Sequence, residues 1–351
     1  MQTSSARIRT LDGWRGIAIL LVLVAHTEAG LLGRAWKYNW MDIGQHGVTI
    51  FFVLSGYLIT SRLLAGDVTD LRSFYIRRFF RLMPAAWTYL LFVGAFAFVL
   101  RLHLIGHDVL ACLLLFRNYV QETPANAMTS HFWSLSIEEQ YYLVWPAILL
   151  LCTRRRALLI ACTLACACAI YRLIFWSWIL NHAPCSTQAR IDSLLVGSAL
   201  GLFLESPRAR MFVRQYAQMI GIVGLLVLLG CIGKFHKLMP FSESIAIAGL
   251  LASTSIRPES IAGRILEWRH LAFVGSISYS LYVWQELFLV PHWGPLAPVM
   301  IGLLPVATFL SYRLIEEPCR RFGTSLAAHS EPVGQDQLQV YADYQAVSGS
   351  S

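Results

Sequence analysis

Apolar runs long enough to cross a bilayer, or nearly so, recur about ten times along this chain, and that recurrence constrains its fold more than any other feature. They lie at 14–32, 47–65, 83–104, 136–153, 157–180, 189–204, 214–233, 240–257, 270–290 and 295–315. A helix needs about 20 such residues to span the hydrocarbon core. The sixth run is short and the fourth contains Pro146. Neighbouring helices can satisfy the backbone groups such a proline frees. Composition agrees: 56% of the residues are hydrophobic and 14% charged, with a mean hydropathy of +0.56. A soluble domain carries about 25% charge. The expected fold is an all-α polytopic bundle of about ten transmembrane helices.

Charge sets the expected orientation. If the N-terminus is inside and the spans alternate, the inner segments hold Arg7 and Arg9, Arg72 to Arg81, Arg154 to Arg156, Arg208 to Arg214, Arg257 to Arg269, and Arg320 with Arg321. The outer segments hold only Arg34, Lys37, Arg117, Arg190, Lys234 and Lys237. Cations concentrate on the cytoplasmic side of membrane proteins. Both termini are therefore expected in the cytoplasm. The net charge of +8 reflects this asymmetry and implies no nucleic-acid partner. The basic start followed by an apolar run resembles a signal peptide, but His26, Thr27 and Glu28 interrupt the cleavage region, so a retained first span is expected. Residues 1–321 read as one membrane domain, and the polar segment 322–351 as a disordered cytoplasmic tail. Six of the eight cysteines sit in or beside apolar runs, and no CxxC or Cys/His zinc spacing occurs, so no metal is expected.

Against this background the ionisable residues inside the runs stand out, because such groups are costly in a membrane and mark functional interiors. Arg15 and His26 are eleven residues apart in the first run. At about 100° and 1.5 Å per residue they share one face and are separated by about 16 Å. Ser134, Ser136, Glu138, Glu139 and Gln140 open the fourth run, at the depth of His26 in the outer half of the bilayer. A carboxylate there suits the orientation of a general-base imidazole. Glu138 and Glu139 are about 100° apart on a helix, so one of them is expected to face His26. Arg78 and Arg81, with Arg77, precede the third run one turn apart and suit convergence on an anion. Gln285 and Glu286 return to the depth of His26 in the ninth run. Blander readings stand beside each. A membrane histidine also serves as a hydrogen-bonded core residue, a glutamate at a helix start stabilises the dipole, and arginines anchor topology. Ser55 and Gly56 read as close helix packing rather than a nucleophile, since no G-x-S-x-G elbow occurs.

The segments RTLDGWRGIAILLVLVAH, FFVLSGYLIT, YIRRFFRLMP, FWSLSIEEQYYLVWP, ISYSLYVWQ and YRLIEEPCRR together resemble the acyltransferase 3 family of membrane O-acyltransferases, in the family's order and across about residues 7–321. The resemblance implies transfer of an acyl group, expected to be acetyl, from cytoplasmic acyl-CoA to a hydroxyl of an extracytoplasmic carbohydrate or lipid-linked glycan. It implies a multi-pass protein of the bacterial cytoplasmic membrane. It implies a catalytic His26 supported by Glu138 or Glu139, and donor contacts from Arg15, Arg77, Arg78 and Arg81. Trp133, Ser134, Tyr282 and Gln285 become the candidates for substrate contact. Gln285 departs from the histidine that relatives often carry at that position. A transporter using the buried charges as a relay is the alternative, and the lack of an inverted repeat counts against it.

Overall fold

The computed structural model describes residues 9–31, 40–66, 71–99, 106–121, 124–231, 239–289 and 293–330. Among them the regular structure is helical throughout, with no strand. In chain order the helices are α1 Arg9–Leu31, α2 Trp40–Leu64, α3 Leu71–Val99, α4 Gly106–Leu113, α5 Phe132–Leu151, α6 Arg154–His182, α7 Thr187–Arg190, α8 Asp192–Leu204, α9 Pro207–Cys231, α10 Met239–Ile256, α11 Ile261–Leu266, α12 Arg269–Ser276, α13 Ser278–Leu289, α14 Ala297–Ser311 and α15 Glu317–Ser330. This is a multi-pass membrane architecture.

Six segments are long and apolar enough to cross a membrane: Arg9–Thr27, Ile43–Leu64, Leu71–Val99, Arg154–His182, Pro207–Cys231 and Gly294–Ala328. The remaining expected spans do form helices, but they miss that standard for physical reasons. α8 has only 13 residues. The ninth run is broken at Ile277 into α12 and α13. α5 is diluted by the serines and glutamates of its first half. α5, α8 and α13 are buried over most of their length, so their side chains face other helices rather than lipid. By contrast, only 17% of the apolar stretch of α9 is buried, and its leucines and valines are free to meet hydrocarbon. The polar end differs from expectation too. α15 continues to Ser330, so residues 322–330 are helix, packed through Phe322 on Phe80 and held by Ser73 donating to the Ala327 carbonyl. Residues 331–351 lie outside the described residues.

α1 lies at the centre, touching α2, α10, α11, α12 and α13. α2 packs most closely on α8, and two glycines make that approach possible. A Cβ on Gly56 would sit 1.9 Å from the Leu194 carbonyl oxygen, and one on Gly197 would sit 2.1 Å from that of Val53. The small-residue packing expected for Ser55-Gly56 therefore holds at Gly56. Side-chain bonds then fix the register of the interior helices. Trp145 Nε1 donates to Thr60 at 2.8 Å, Tyr141 bonds Ser198, and Trp14 Nε1 donates to Thr254 at 3.0 Å. Arg172 and Asp192 form a buried two-pronged ion pair between α6 and α8, at 3.0 and 2.5 Å.

Candidate active site

Two polar clusters lie inside the bundle, joined along the first turns of α5. The first opens as a cleft of about 660 Å³ lined by Arg15, Ser55, Arg78, Arg81, Ser134, Glu138, Tyr279 and Tyr282, with Phe51, Phe52 and Leu82 among its apolar walls. The cations come from three elements. Arg15 leaves the N-terminal part of α1, Arg62 lies in the last turn of α2, and Arg78 and Arg81 lie one turn apart on α3. The four guanidinium groups are close enough to repel one another. Carboxylates offset part of that repulsion. Arg15 lies 3.7 Å from Asp12, and Arg78 lies 3.6 Å from Glu138 and 3.5 Å from Glu139. The Arg78 guanidinium also rests 3.4 Å above the Tyr142 ring, a cation–π contact. Glu138 accepts from Ser55 at 3.2 Å and from Tyr142 at 3.0 Å. Arg81 makes no hydrogen bond or ion pair among the described residues. Its nearest acidic influence is Glu316, which the π-helical turn Tyr312–Glu316 carries inward to accept from Ser280 at 2.6 Å. A cleft with this excess of guanidinium groups has the chemistry to hold a polyanion such as a phosphorylated donor.

The second cluster surrounds His26. Its Nδ1 lies 2.8 Å from the Val22 carbonyl one turn earlier. A carbonyl only accepts, so Nδ1 carries the proton and Nε2 is left as the basic nitrogen. Nε2 faces Glu286 Oε1 at 3.9 Å. Glu286 is fully buried, and its other contacts fix it in place: Ser130 donates to Oε1 at 2.7 Å, and His131 Nδ1 lies 2.7 Å from Oε2. His131 is itself held edge-on by Tyr89 and Tyr282. The Ser134 and Tyr282 hydroxyls lie 2.6 Å apart, and both reach the His131 carbonyl, at 3.2 and 3.1 Å. Because Ser134 and Tyr282 also line the cationic cleft, this pair is the wall the two clusters share.

The expected site residues are thus placed as follows. Arg15, Arg78, Arg81, Ser134 and Tyr282 converge on the cleft, with Glu138. Arg77 does not line it. Glu138 and Glu139 do not orient His26: they pair with Arg78, and the carboxylate beside His26 is Glu286. The reason is lateral. α5 turns its glutamates toward α3, while α13 packs on α1 and brings Glu286 to the imidazole. Trp133 does not line the cleft but a separate cavity, with Arg117 and Cys185. Gln285 is completely buried, and neither amide atom has a hydrogen-bond partner among the described residues. Sequence reasoning missed the roles of Ser130, His131, Arg62 and the Arg172–Asp192 pair. Arg172 had a readable signal, a lone cation within the apolar run 157–180. Ser130 and His131 lie in a long loop of a size that is often functional, but nothing in its spacing pairs them with Glu286.

Comparison with known proteins places the chain in a family. Residues 8–314 match the model of the acyltransferase 3 family, described as an acyltransferase domain. The chain is similar to a putative peptidoglycan O-acetyltransferase, YrhL, of Bacillus subtilis, at 29% identity over 89% of this chain and 55% of the relative. It is similar to the peptidoglycan O-acetyltransferase OatA of Listeria monocytogenes, at 28% identity over 90% of this chain and 56% of the relative. A putative O-acetyltransferase of Staphylococcus aureus is 29% identical over 89% of this chain and 57% of its own length. The chain therefore spans little more than half the length of these curated relatives. No solved structure matches it. With the family model covering most of its length, from the first helix into the π-helical turn, the chain belongs to the acyltransferase 3 family.

Proposed function

We propose that the protein is an O-acetyltransferase that takes an acetyl group from cytoplasmic acetyl-CoA and delivers it to a hydroxyl of a glycan on the outer side of a bacterial cytoplasmic membrane. The observation that carries this reading is His26, with its Nδ1–H on the Val22 carbonyl and its Nε2 free toward Glu286. An imidazole with one tautomer selected and a fixed carboxylate beside its basic nitrogen can take up a proton and have the resulting charge stabilised, as a general base requires. The relatives' names supply the acyl group and the acceptor class. In this reading ten helices cross the membrane with both termini inside, which the arginine distribution supports. The cationic cleft then opens inward and His26 lies toward the outer side.

Arg15, Arg78 and Arg81 hold the donor's phosphates by charge-assisted hydrogen bonds. The thioester enters along the cleft toward the Ser134–Tyr282 wall. The acceptor oxygen attacks the thioester carbonyl while its proton passes to His26 Nε2. The C–S bond then breaks, and the CoA thiolate takes that proton from the imidazolium. Glu286 stabilises the imidazolium while it exists, and Ser130 and His131 keep Glu286 from turning away. Glu138 and Glu139 hold Arg78 in place, as positioning residues.

Purified protein in lipid nanodiscs with radiolabelled acetyl-CoA tests the reading. Slow release of free CoA, lost in His26→Ala and weakened in Arg78→Ala, is the expected result. Undiminished release in His26→Ala would remove the base from the mechanism. No CoA binding at all would favour the transport reading.

A further inference from the structure

The two ends of the cationic cleft differ in chemistry, and α2 runs along both. Val48, Phe51, Phe52 and Ser55 are spaced i, i+3, i+4 and i+7, one face of that helix, and all four line the cleft. Arg62, in the last turn of α2, lies close to Arg15 and Arg81 and marks the cationic end. Ser55 is still at that end, since it donates to Glu138, which pairs with Arg78. Phe51 and Phe52 lie one turn further from the cations, and Val48 two turns further. At 1.5 Å per residue Val48 is about 10 Å beyond Ser55.

The far end is therefore mostly hydrocarbon. Leu135 of α5 adds to it. Its polar groups are the Ser134 and Tyr282 hydroxyls, which bond each other and the His131 carbonyl. A small group with an apolar tail and a polar atom fits there, with the tail against α2 and the polar atom toward the hydroxyls. A short acyl thioester is such a group.

This end has little room to grow. The Phe51 ring meets Tyr282 edge-on at 6.1 Å between centroids, and the Phe52 ring meets Trp133 edge-on at 6.0 Å. Phe52 is 2% exposed, whereas Phe51 is half-buried and presents more of its ring to the cleft. Nor is α2 free to retreat. A Cβ on Gly47 would lie 2.4 Å from the Ala18 carbonyl oxygen of α1, and Gly56 sits as tightly against α8. These two contacts clamp α2 on either side of residues 48–55. Side-chain volume, rather than helix movement, sets the space, and a close-packed wall does not stretch to admit extra methylenes.

We propose that the Val48–Phe51–Phe52 face of α2 is the acyl pocket of the donor site, and that the Phe51 ring is the stop that excludes chains longer than acetyl. This rests on the proposed function, which supplies the acyl donor.

Release of free CoA from acetyl-, propionyl- and butyryl-CoA, with water as acyl acceptor, tests the pocket on the protein in nanodiscs. In the wild type kcat/KM should fall about tenfold for each added methylene. In Phe51→Ala the butyryl-to-acetyl ratio should rise about thirtyfold. Phe51→Leu, a milder truncation that keeps the core filled, should raise it by a smaller factor. Ile50→Ala is the control. Ile50 is 3% exposed and does not line the cleft, so its truncation should leave the ratio unchanged. A wild-type ratio near one would overturn the pocket. An unchanged ratio in both Phe51 variants, or an equal rise in Ile50→Ala, would remove Phe51 as the stop. Displacement of radiolabelled acetyl-CoA by the same acyl-CoAs separates these results from failure of the transferase reading. No binding of acetyl-CoA would overturn both. Binding without CoA release would count against the transferase alone, and the pocket would still require butyryl-CoA to be the weaker competitor in the wild type and the equal of acetyl-CoA in Phe51→Ala.

Discussion

The two polar clusters use carboxylates in opposite ways. Around Arg78, two glutamates spend their charge on a guanidinium, at 3.6 and 3.5 Å, and what remains is a cleft with surplus cations. Around His26, one glutamate is held by a histidine and a serine and turns its remaining reach to an imidazole. The first arrangement suits binding of an anion. The second suits a proton that comes and goes. Both lie within the first turns of α5 and its neighbours, so sharing a depth in the membrane does not make residues partners. What separates the clusters is which helix each glutamate faces.

The largest way to break this contrast is His26→Ala, where kcat for acetyl transfer should fall about 10³-fold with the donor KM little changed. A comparable loss confined to KM would move His26 into the binding cluster. Next comes the pair Glu286→Gln and Glu139→Gln. The first should lower kcat about 10²-fold, since it removes the charge that stabilises the imidazolium. The second should act mainly on donor KM, because Glu139 works through Arg78. Equal kcat losses in the two variants would erase the distinction between the clusters. Arg78→Ala should raise the donor KM about tenfold, and raising salt should mimic part of that effect by screening. Ser130→Ala is the smallest, a fall in kcat of about fivefold, the worth of roughly one hydrogen bond to Glu286. Restoration of rate by Ser130→Thr would show that the hydroxyl, rather than the loop's packing, is responsible.

A contrast outside the two clusters sharpens the same lesson. The Arg172–Asp192 pair is more buried than either, lines neither cleft nor cavity, and ties α6 to α8. Arg172→Met should leave donor affinity unchanged in whatever protein folds, while lowering thermal stability by about 3–5 kcal/mol through the orphaned aspartate. Arg172→Met with Asp192→Leu should recover most of that loss, measured by thermal unfolding in nanodiscs.

Much of this molecule is legible without coordinates. Apolar run length specifies an all-helical bundle, because lipid leaves backbone groups no partner but their own helix. Helical periodicity places Arg15 and His26 on one face, and the Arg78–Arg81 spacing places both in one cleft. Three things did not follow. Hydropathy does not distinguish a span that meets lipid from an interior helix such as α8 or α13, which other helices cover. The end of the apolar signal near residue 321 does not mark the end of helix, since α15 gains its stability from packing on α3. And sequence spacing specifies depth along the membrane normal but not position across it. That lateral coordinate is set by helix packing, at contacts as local as Gly56 against Leu194. Tertiary structure alone therefore decided that His26 faces Glu286 rather than Glu138 or Glu139, and that Trp133 opens onto a different cavity from Ser134.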